Sequence, residues 1–190
     1  MKIKLEKYDP NWKSLFESEK DKLLEVLGCK GVQIEHIGST SIPDICSKPV
    51  IDIMISVEEE NQLNKYVDKI ISIGYIYVQK YEIYMPFRRY FFKLKNPDIQ
   101  LPKIIGFNDP DLNKGNHEDI FHIHIVKINS DFWKNQILFR NYLQENYKAK
   151  KEYEKIKLYL AKIEWDSVND YADAKSDFIT KILEKANKGI

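Results

Sequence analysis

The residues whose types and spacing could do chemistry begin with Ile34-Glu35-His36-Ile37-Gly38-Ser39-Thr40-Ser41-Ile42-Pro43, an apolar run leading into a Gly-Ser turn with three hydroxyls. Such a turn lets the backbone approach a phosphate closely, and its N–H groups, together with Ser39, Thr40 and Ser41, can hydrogen-bond the oxygens. The same hydroxyls would equally cap a short helix ending near Cys46. Lys48-Pro49-Val50-Ile51-Asp52-Ile53-Met54-Ile55 follows, a second apolar run with one acid in it. Asp52 offers a hard oxygen ligand for a divalent cation. An unpaired carboxylate is costly among such neighbours, so Asp52 faces either a site or an ion-pair partner. Lys48, held extended by Pro49, is available to the same anion as the turn.

Two further groups lie downstream. His122-Ile123-His124 puts two imidazoles on one face of a strand, about 6 to 7 Å apart by the strand rise. With His36 near the turn they form a possible transition-metal set. The alternative is a hydrogen-bonded lock between strands, with Glu35 or Asp52 as partners. In Arg88-Arg89-Tyr90-Phe91-Phe92-Lys93, alternation sends Arg89, Phe91 and Lys93 to one face and Arg88, Tyr90 and Phe92 to the other. A guanidinium facing the turn would clamp a phosphate or carboxylate; otherwise it is an edge charge that discourages aggregation. Ser39 has no triad pattern around it, and Cys46 has no activating base in its loop, so neither reads as a nucleophile.

Together with Tyr8-Asp9-Pro10-x-Trp12, Lys48-Pro49-x-Ile51-Asp52 and Phe139-Arg140-x-Tyr142-Leu143, these segments resemble the GrpB-like family of the nucleotidyltransferase-fold superfamily, over nearly the whole chain. The resemblance implies a core in which the first strand ends at the Gly-Ser turn and the second carries a metal-binding acid. Enzymes of that superfamily move a nucleotidyl group with two metals held by Asp-x-Asp on one strand and a third acid nearby. Side chains two apart on a strand share a face, and two cations can stabilise both attacking and leaving oxygens. Here Asp52 matches the first acid, but Met54 stands at the second, and a thioether is a poor magnesium ligand. No carboxylate falls in the His-x-His run 121–128, and Asp44 replaces the Gly that commonly follows the Pro.

Composition sets the frame. The chain has 190 residues and a formal net charge of +1, so it can bury a full core and lacks the basic excess of a dedicated nucleic-acid binder. No run suits a signal peptide or a membrane span, and Cys29 and Cys46 show no metal or redox spacing. These features point to a cytoplasmic protein of one domain, with a core at about 1–128 and a helical part at about 129–190.

Periodicity predicts a helix over 11–27, stopped by the glycines at 28–31, and strands over 32–37 and 50–57. A helix follows, with Ser56 and Glu59 as its capping box, then strands over 75–79 and 88–94, a long loop over 96–118 and a strand over 121–128. Helices follow from Ser130 or Asp131 to about 146 and over 149–163, and a last one is capped by Ser167 and Asp170. The fold class is therefore α+β (mixed α/β): a mixed sheet flanked by helices, with a helical C-terminal third.

Two functions fit. The first is a nucleotidyltransferase with a degenerate metal site. Asp52 would be catalytic, and Gly38, Ser39, Thr40, Ser41, Lys48, Arg88 and Arg89 would hold the nucleotide or another phosphorylated small molecule. Asp52, His122, His124 and His36 would hold a divalent metal, Mg or Mn and less readily Zn. The second is a non-catalytic nucleotide- or anion-binding module acting on a protein partner. The resemblance supports this too, since GrpB-like domains occur fused to dephospho-CoA kinase, where a folding-support role is proposed. No P-loop occurs in this chain, so such a partner would act in trans.

Overall fold

The structure is a computed structural model that describes residues 2–28, 31–110, 117–166 and 168–188. Helix α1 (Asn11–Leu27) buries Trp12, Phe16, Glu19, Leu23 and Leu27 along one stripe, the i, i+4, i+7 spacing of an amphipathic helix. Gly28, at φ 83°, turns the chain out and returns its N–H to Leu24 O at 3.1 Å. Strands β1 (Ile34–Ile37), β2 (Ile51–Val57), β3 (Ile76–Val78), β4 (Arg88–Leu94), β5 (Ile104–Ile105) and β6 (Asp119–Lys127) form one sheet in the order β1-β2-β6-β4-β3-β5. β2 runs parallel to β6 and β5 parallel to β3; the other neighbours are antiparallel.

The sheet's two faces differ in kind because the side chains alternate. One face carries Ile51, Ile53, Ile55, Phe91, Phe121, Ile123 and Ile125, which pack against α1 and, through Leu63, Tyr66 and Ile70, against the segment after β2. That segment is a 3-10 helix (Glu60–Tyr66) passing into α2 (Val67–Ser72). The other face carries Asp52, Met54, His122, His124, Arg88 and Tyr90, as the strand registers require. It is partly roofed by α3 (Asp131–Glu145), α4 (Tyr147–Leu160), α5 (Val168–Asp173) and α6 (Ser176–Lys188). Phe139, Leu143, Tyr153, Phe178 and Ile182 of these helices close on Ile42 and Ile45, just beyond the Gly-Ser turn.

Several expected boundaries move for physical reasons. Ser56 caps no helix: it stays in β2, where its hydroxyl takes the Gln33 N–H at 2.8 Å. The capping box is Glu59 with Gln62, one turn later. The expected loop over 96–118 contributes β5, and residues 111–116 lie outside the described ones. The last helix is broken at Ala174–Lys175 into α5 and α6, with Asp170 inside α5; Ser167, the other expected cap, lies outside the described residues, as does Cys29. Ser130 does cap α3, accepting from Trp133 N–H at 3.3 Å. Among the described residues no helix is long and apolar enough to cross a membrane.

Candidate functional site

The Gly-Ser turn is built on Gly38 for two reasons. Its φ of 69° with ψ of −172° lies in a positive-φ region that is essentially glycine's own, costing an L side chain about 1–3 kcal/mol. A Cβ there would also lie 2.2 Å from Asp52 Oδ2. Pairing of Ile37 with Asp52 across β1 and β2 brings the acid directly under the turn. Beyond Gly38 the chain makes one 3-10 turn (Ser39–Ser41), in which Ser41 Oγ donates to Gly38 O at 2.6 Å. Thr40 Oγ1 donates to Val50 O at 3.1 Å, tying the turn to the start of β2. Ser39 Oγ lies 3.2 Å from Tyr153 Oη of α4.

Below the turn, parallel pairing of β2 and β6 sets Asp52 opposite His122 and Met54 opposite His124. His122 Nδ1 is 3.2 Å from Asp52 Oδ1, and its Nε2 is 3.0 Å from Asp119 Oδ2. A carboxylate against each nitrogen favours the imidazolium: burial alone would pull the His122 pKa down, but Asp119 and Asp52 outweigh it and raise it. His124 differs. Arg88 Nη1 donates to its Nδ1 at 3.2 Å, leaving the Nε2 proton toward Asp52 Oδ1 at 3.9 Å. Burial, with Arg88 adding to it and Asp52 opposing, lowers His124 to about 4. Burial would raise Asp52, yet His122 and His124 hold it well below the usual carboxylate range.

Asp119 shows where sequence reasoning fell short. The strand was expected to start at 121 and to contain no carboxylate; β6 starts at Asp119. Residues i and i+3 of a regular strand face opposite ways. Here Lys93 pairs with Phe121 and Leu94 with Asp119, so Ile120 is an extra residue. That bulge turns Asp119 onto the face of His122.

The expected residues do not all converge. His36 points to the other face: its ring stacks on Phe16 of α1, with centroids 4.7 Å apart, and its Nε2 bonds Thr40 Oγ1 at 3.0 Å. Since the Thr40 hydroxyl proton is spent on Val50, His36 carries its proton on Nε2, and burial lowers its pKa to about 4. Arg89 is also on the far face, held by Asn64, Pro86 O and Glu82. Arg88 is on the site's face but behind His124. Arg140 holds β1 rather than the cleft, donating to Glu35 Oε2 at 2.7 Å and His36 O at 2.8 Å. Cys46 is anchored through its backbone, N–H to Glu154 and C=O to Lys157, and burial raises its thiol pKa.

What does converge is a cavity of about 100 Å³ lined by Ser39, Thr40, Lys48, Val50, Asp52, His122, Lys157, Tyr171 and Lys175. Lys157 comes from α4 and Lys175 from the break between α5 and α6; neither carried a sequence signal, being spread through charged, outwardly ordinary segments. Lys157 is buried, donating to Cys46 O at 2.5 Å and Ser47 Oγ at 3.0 Å. Burial and then the charge of Lys175 bring it down to about 7. Burial brings Lys175 to about 8, with Asp52 pulling up and Lys48 pushing down.

The donors as they stand do not fit a metal. Both nitrogens of His122 are against carboxylates, His124 Nδ1 is taken by Arg88 with its Nε2 3.9 Å from Asp52, and His36 is on the wrong face. Among the described residues no group of three or more His, Cys, Asp or Glu is placed to hold an ion. Met54, at the position of the second acid, is fully buried with Ile37, Val126 and Trp133.

The chain is thus of the mixed α/β class, a six-stranded mixed sheet flanked by helices whose first strand ends in a Gly-Ser turn over an acid on the second. Within that class the GrpB protein family model matches residues 2–185, and the chain belongs to this family. It is 31% identical over 185 residues to UPF0157 protein BH1888 of Halalkalibacterium halodurans, covering 97% of this chain and 83% of that one. The crystal structure of conserved protein GrpB from Enterococcus faecalis is similar throughout, with a TM-score of 0.75, 31% identity and 98% of each chain covered. A protein named dephospho-CoA kinase from Mycolicibacterium paratuberculosis matches a shorter stretch, 30% identical over 76 residues, which is 38% of this chain and 19% of that one.

Proposed function

We propose that this chain binds a nucleotide or another phosphorylated small molecule, with the phosphate seated between the Gly38–Ser41 turn and the lysines. The observation that carries this reading is the convergence of Lys48, Lys157 and Lys175 with the Ser39 hydroxyl on one small cavity. Setting the buried Lys157 beside the part-exposed Lys175 and Lys48 is unfavourable unless something offsets it; the Tyr153 and Tyr171 rings do so in part, and the depressed Lys157 and Lys175 values record the cost that remains. A phosphate would offset it with charge-assisted hydrogen bonds. Asp52, already countered by His122, forms the wall opposite.

For nucleotidyl transfer Asp52 would be the catalytic acid, and any Mg, Mn or Zn would arrive with the ligand's phosphates rather than on a prebuilt His set. The second reading, a non-catalytic module that binds a nucleotide and supports a protein partner, is favoured by the buried Met54 and by the partial likeness to proteins named dephospho-CoA kinase. The test is a thermal-shift series with nucleoside triphosphates and pyrophosphate, each without metal and with Mg²⁺, Mn²⁺ or Zn²⁺. Ligands that bind only the native state raise the melting temperature. A rise abolished by Lys175→Ala supports the site; no rise with any phosphate compound overturns it. Pyrophosphate release that Asp52→Asn abolishes then separates transferase from module.

A further inference from the structure

The phosphate cavity shares a wall with a second one. Lys48, Val50 and His122 line both, and the second, about 170 Å³, extends from them to Ile3, Pro49 and His117. Its outer side is the N-terminal segment, fixed in place because Glu6 and Ser47 exchange backbone hydrogen bonds of 2.8 Å in each direction. Ile3 is buried against Leu160 and Tyr171, and Tyr171 in turn lines the phosphate cavity, so the two compartments meet on both sides of one partition.

The electrostatics of the two compartments differ. In the first, three lysines face a single carboxylate, Asp52, whose Oδ1 lies 3.2 Å from the His122 ring. In the second, the charged rim pairs with itself: Lys4 with Glu6 at 3.5 Å and Lys95 with Glu118 at 2.9 Å. Asp119 meets His122 through Oδ2 and lies 3.5 Å from His117 Nε2 through Oδ1, and the His117 ring lies flat against Phe92, with centroids 5.6 Å apart. Lys2 and Lys48 complete the rim, and the remaining wall is the apolar surface of Ile3, Pro49 and Val50. Neither space alone reaches the roughly 300 Å³ at which small-molecule sites begin, while the two together approach it.

Building on the phosphate-binding reading above, we infer that the ligand is a phosphate ester whose body is compact, uncharged and largely apolar, of ring size. The ester's phosphate sits under the Gly-Ser turn, and its body crosses the Lys48–Val50 partition into the space walled by Ile3. The N-terminal segment is then a specificity element, and a bare phosphate or pyrophosphate fills only half of the site.

The test compares methyl phosphate, phenyl phosphate and cyclohexyl phosphate, which share one phosphomonoester head, by calorimetry on the full chain. Alongside, isoleucine methyl NMR follows the Ile3 signal. The expected result is at least tenfold tighter binding of the two ring-bearing esters than of methyl phosphate, with the Ile3 methyl shifting only for them. Ile3→Ala should erase most of that difference and leave methyl phosphate binding unchanged; the NMR arm stands should this variant fail to fold. If methyl phosphate binds as well as the larger esters and Ile3 does not move, the body compartment is refuted while the phosphate site survives. If none of the three esters binds, the phosphate site itself falls.

Discussion

Lys157 and Lys175 are the residues on which the phosphate reading turns, and they give it a pH signature. In the free protein burial, with Lys175 adding to it at Lys157 and Lys48 at Lys175, holds them near 7 and 8, so at pH 8 Lys157 is mostly neutral and Lys175 about half charged. A bound phosphate favours both ammonium forms, so binding at pH 8 should take up about one proton. Calorimetry in two buffers of different ionisation enthalpy measures this, and affinity should fall steadily between pH 7 and 9. A flat profile would mean that the lysines do not meet the ligand. Gly38 supports a second prediction. Gly38→Ala combines positive-φ strain with the approach to Asp52 Oδ2, and should cost roughly 3 kcal/mol in urea unfolding. Pairing it with Asp52→Ala should return most of the steric part, the Cβ of residue 52 staying 3.0 Å away, and leave about 1–3 kcal/mol of backbone strain.

Between elements, α1 is bolted to the sheet by one buried acid. Glu19 is 1% exposed; its Oε1 accepts from Tyr75 Oη at 2.9 Å and Lys93 Nζ at 3.0 Å, and its Oε2 from Lys22 Nζ at 3.1 Å. Removing one partner of a buried set strands the others, so Glu19→Ala should cost about 3 kcal/mol. Glu19→Gln should cost less because Tyr75 keeps an acceptor, and Lys22→Ala should change stability by less than about 0.5 kcal/mol because Lys22 is exposed. The same elements show what was legible in the sequence. α1 and β4 have the limits that their periodicity predicts, because each buries a regular stripe or face. Asp52 beneath Gly38 was readable from the two apolar runs. The Asp119 turn-in was not, since it depends on a bulge against β4, nor were Lys157 and Lys175, whose role exists only once helices about 110 residues downstream fold back onto Ser47 and the turn. Arg88 and Arg89 were separable by alternation, but which face held the site depended on the register of β6.

At the scale of the whole molecule, a neutral-histidine fold should be unusually sensitive to mild acid. His36 and His124 sit near 4 in the folded chain against about 6.5 when unfolded. Between these values the unfolded state binds more protons, so stability is complete above 6.5 and falls as the pH drops toward 4. The slope is roughly 1.4 kcal/mol per pH unit for each histidine. His122 runs the other way: its raised value gives stability that is present below 6.5 and lost as the pH rises through the folded value. Lys157 and Lys175 tilt the curve only above about 7, and the lowered carboxylates of Asp52 and Glu19 only below their ordinary range. The window from 6.5 to 4.5 therefore belongs to the two neutral histidines. Urea midpoints across it should fall steeply, and His36→Gln and His124→Gln should each remove about half of the slope. A profile that stays level to pH 4.5 would mean that both rings accept protons without cost. That outcome would contradict the stacking of His36 on Phe16 and the guanidinium of Arg88 held against His124.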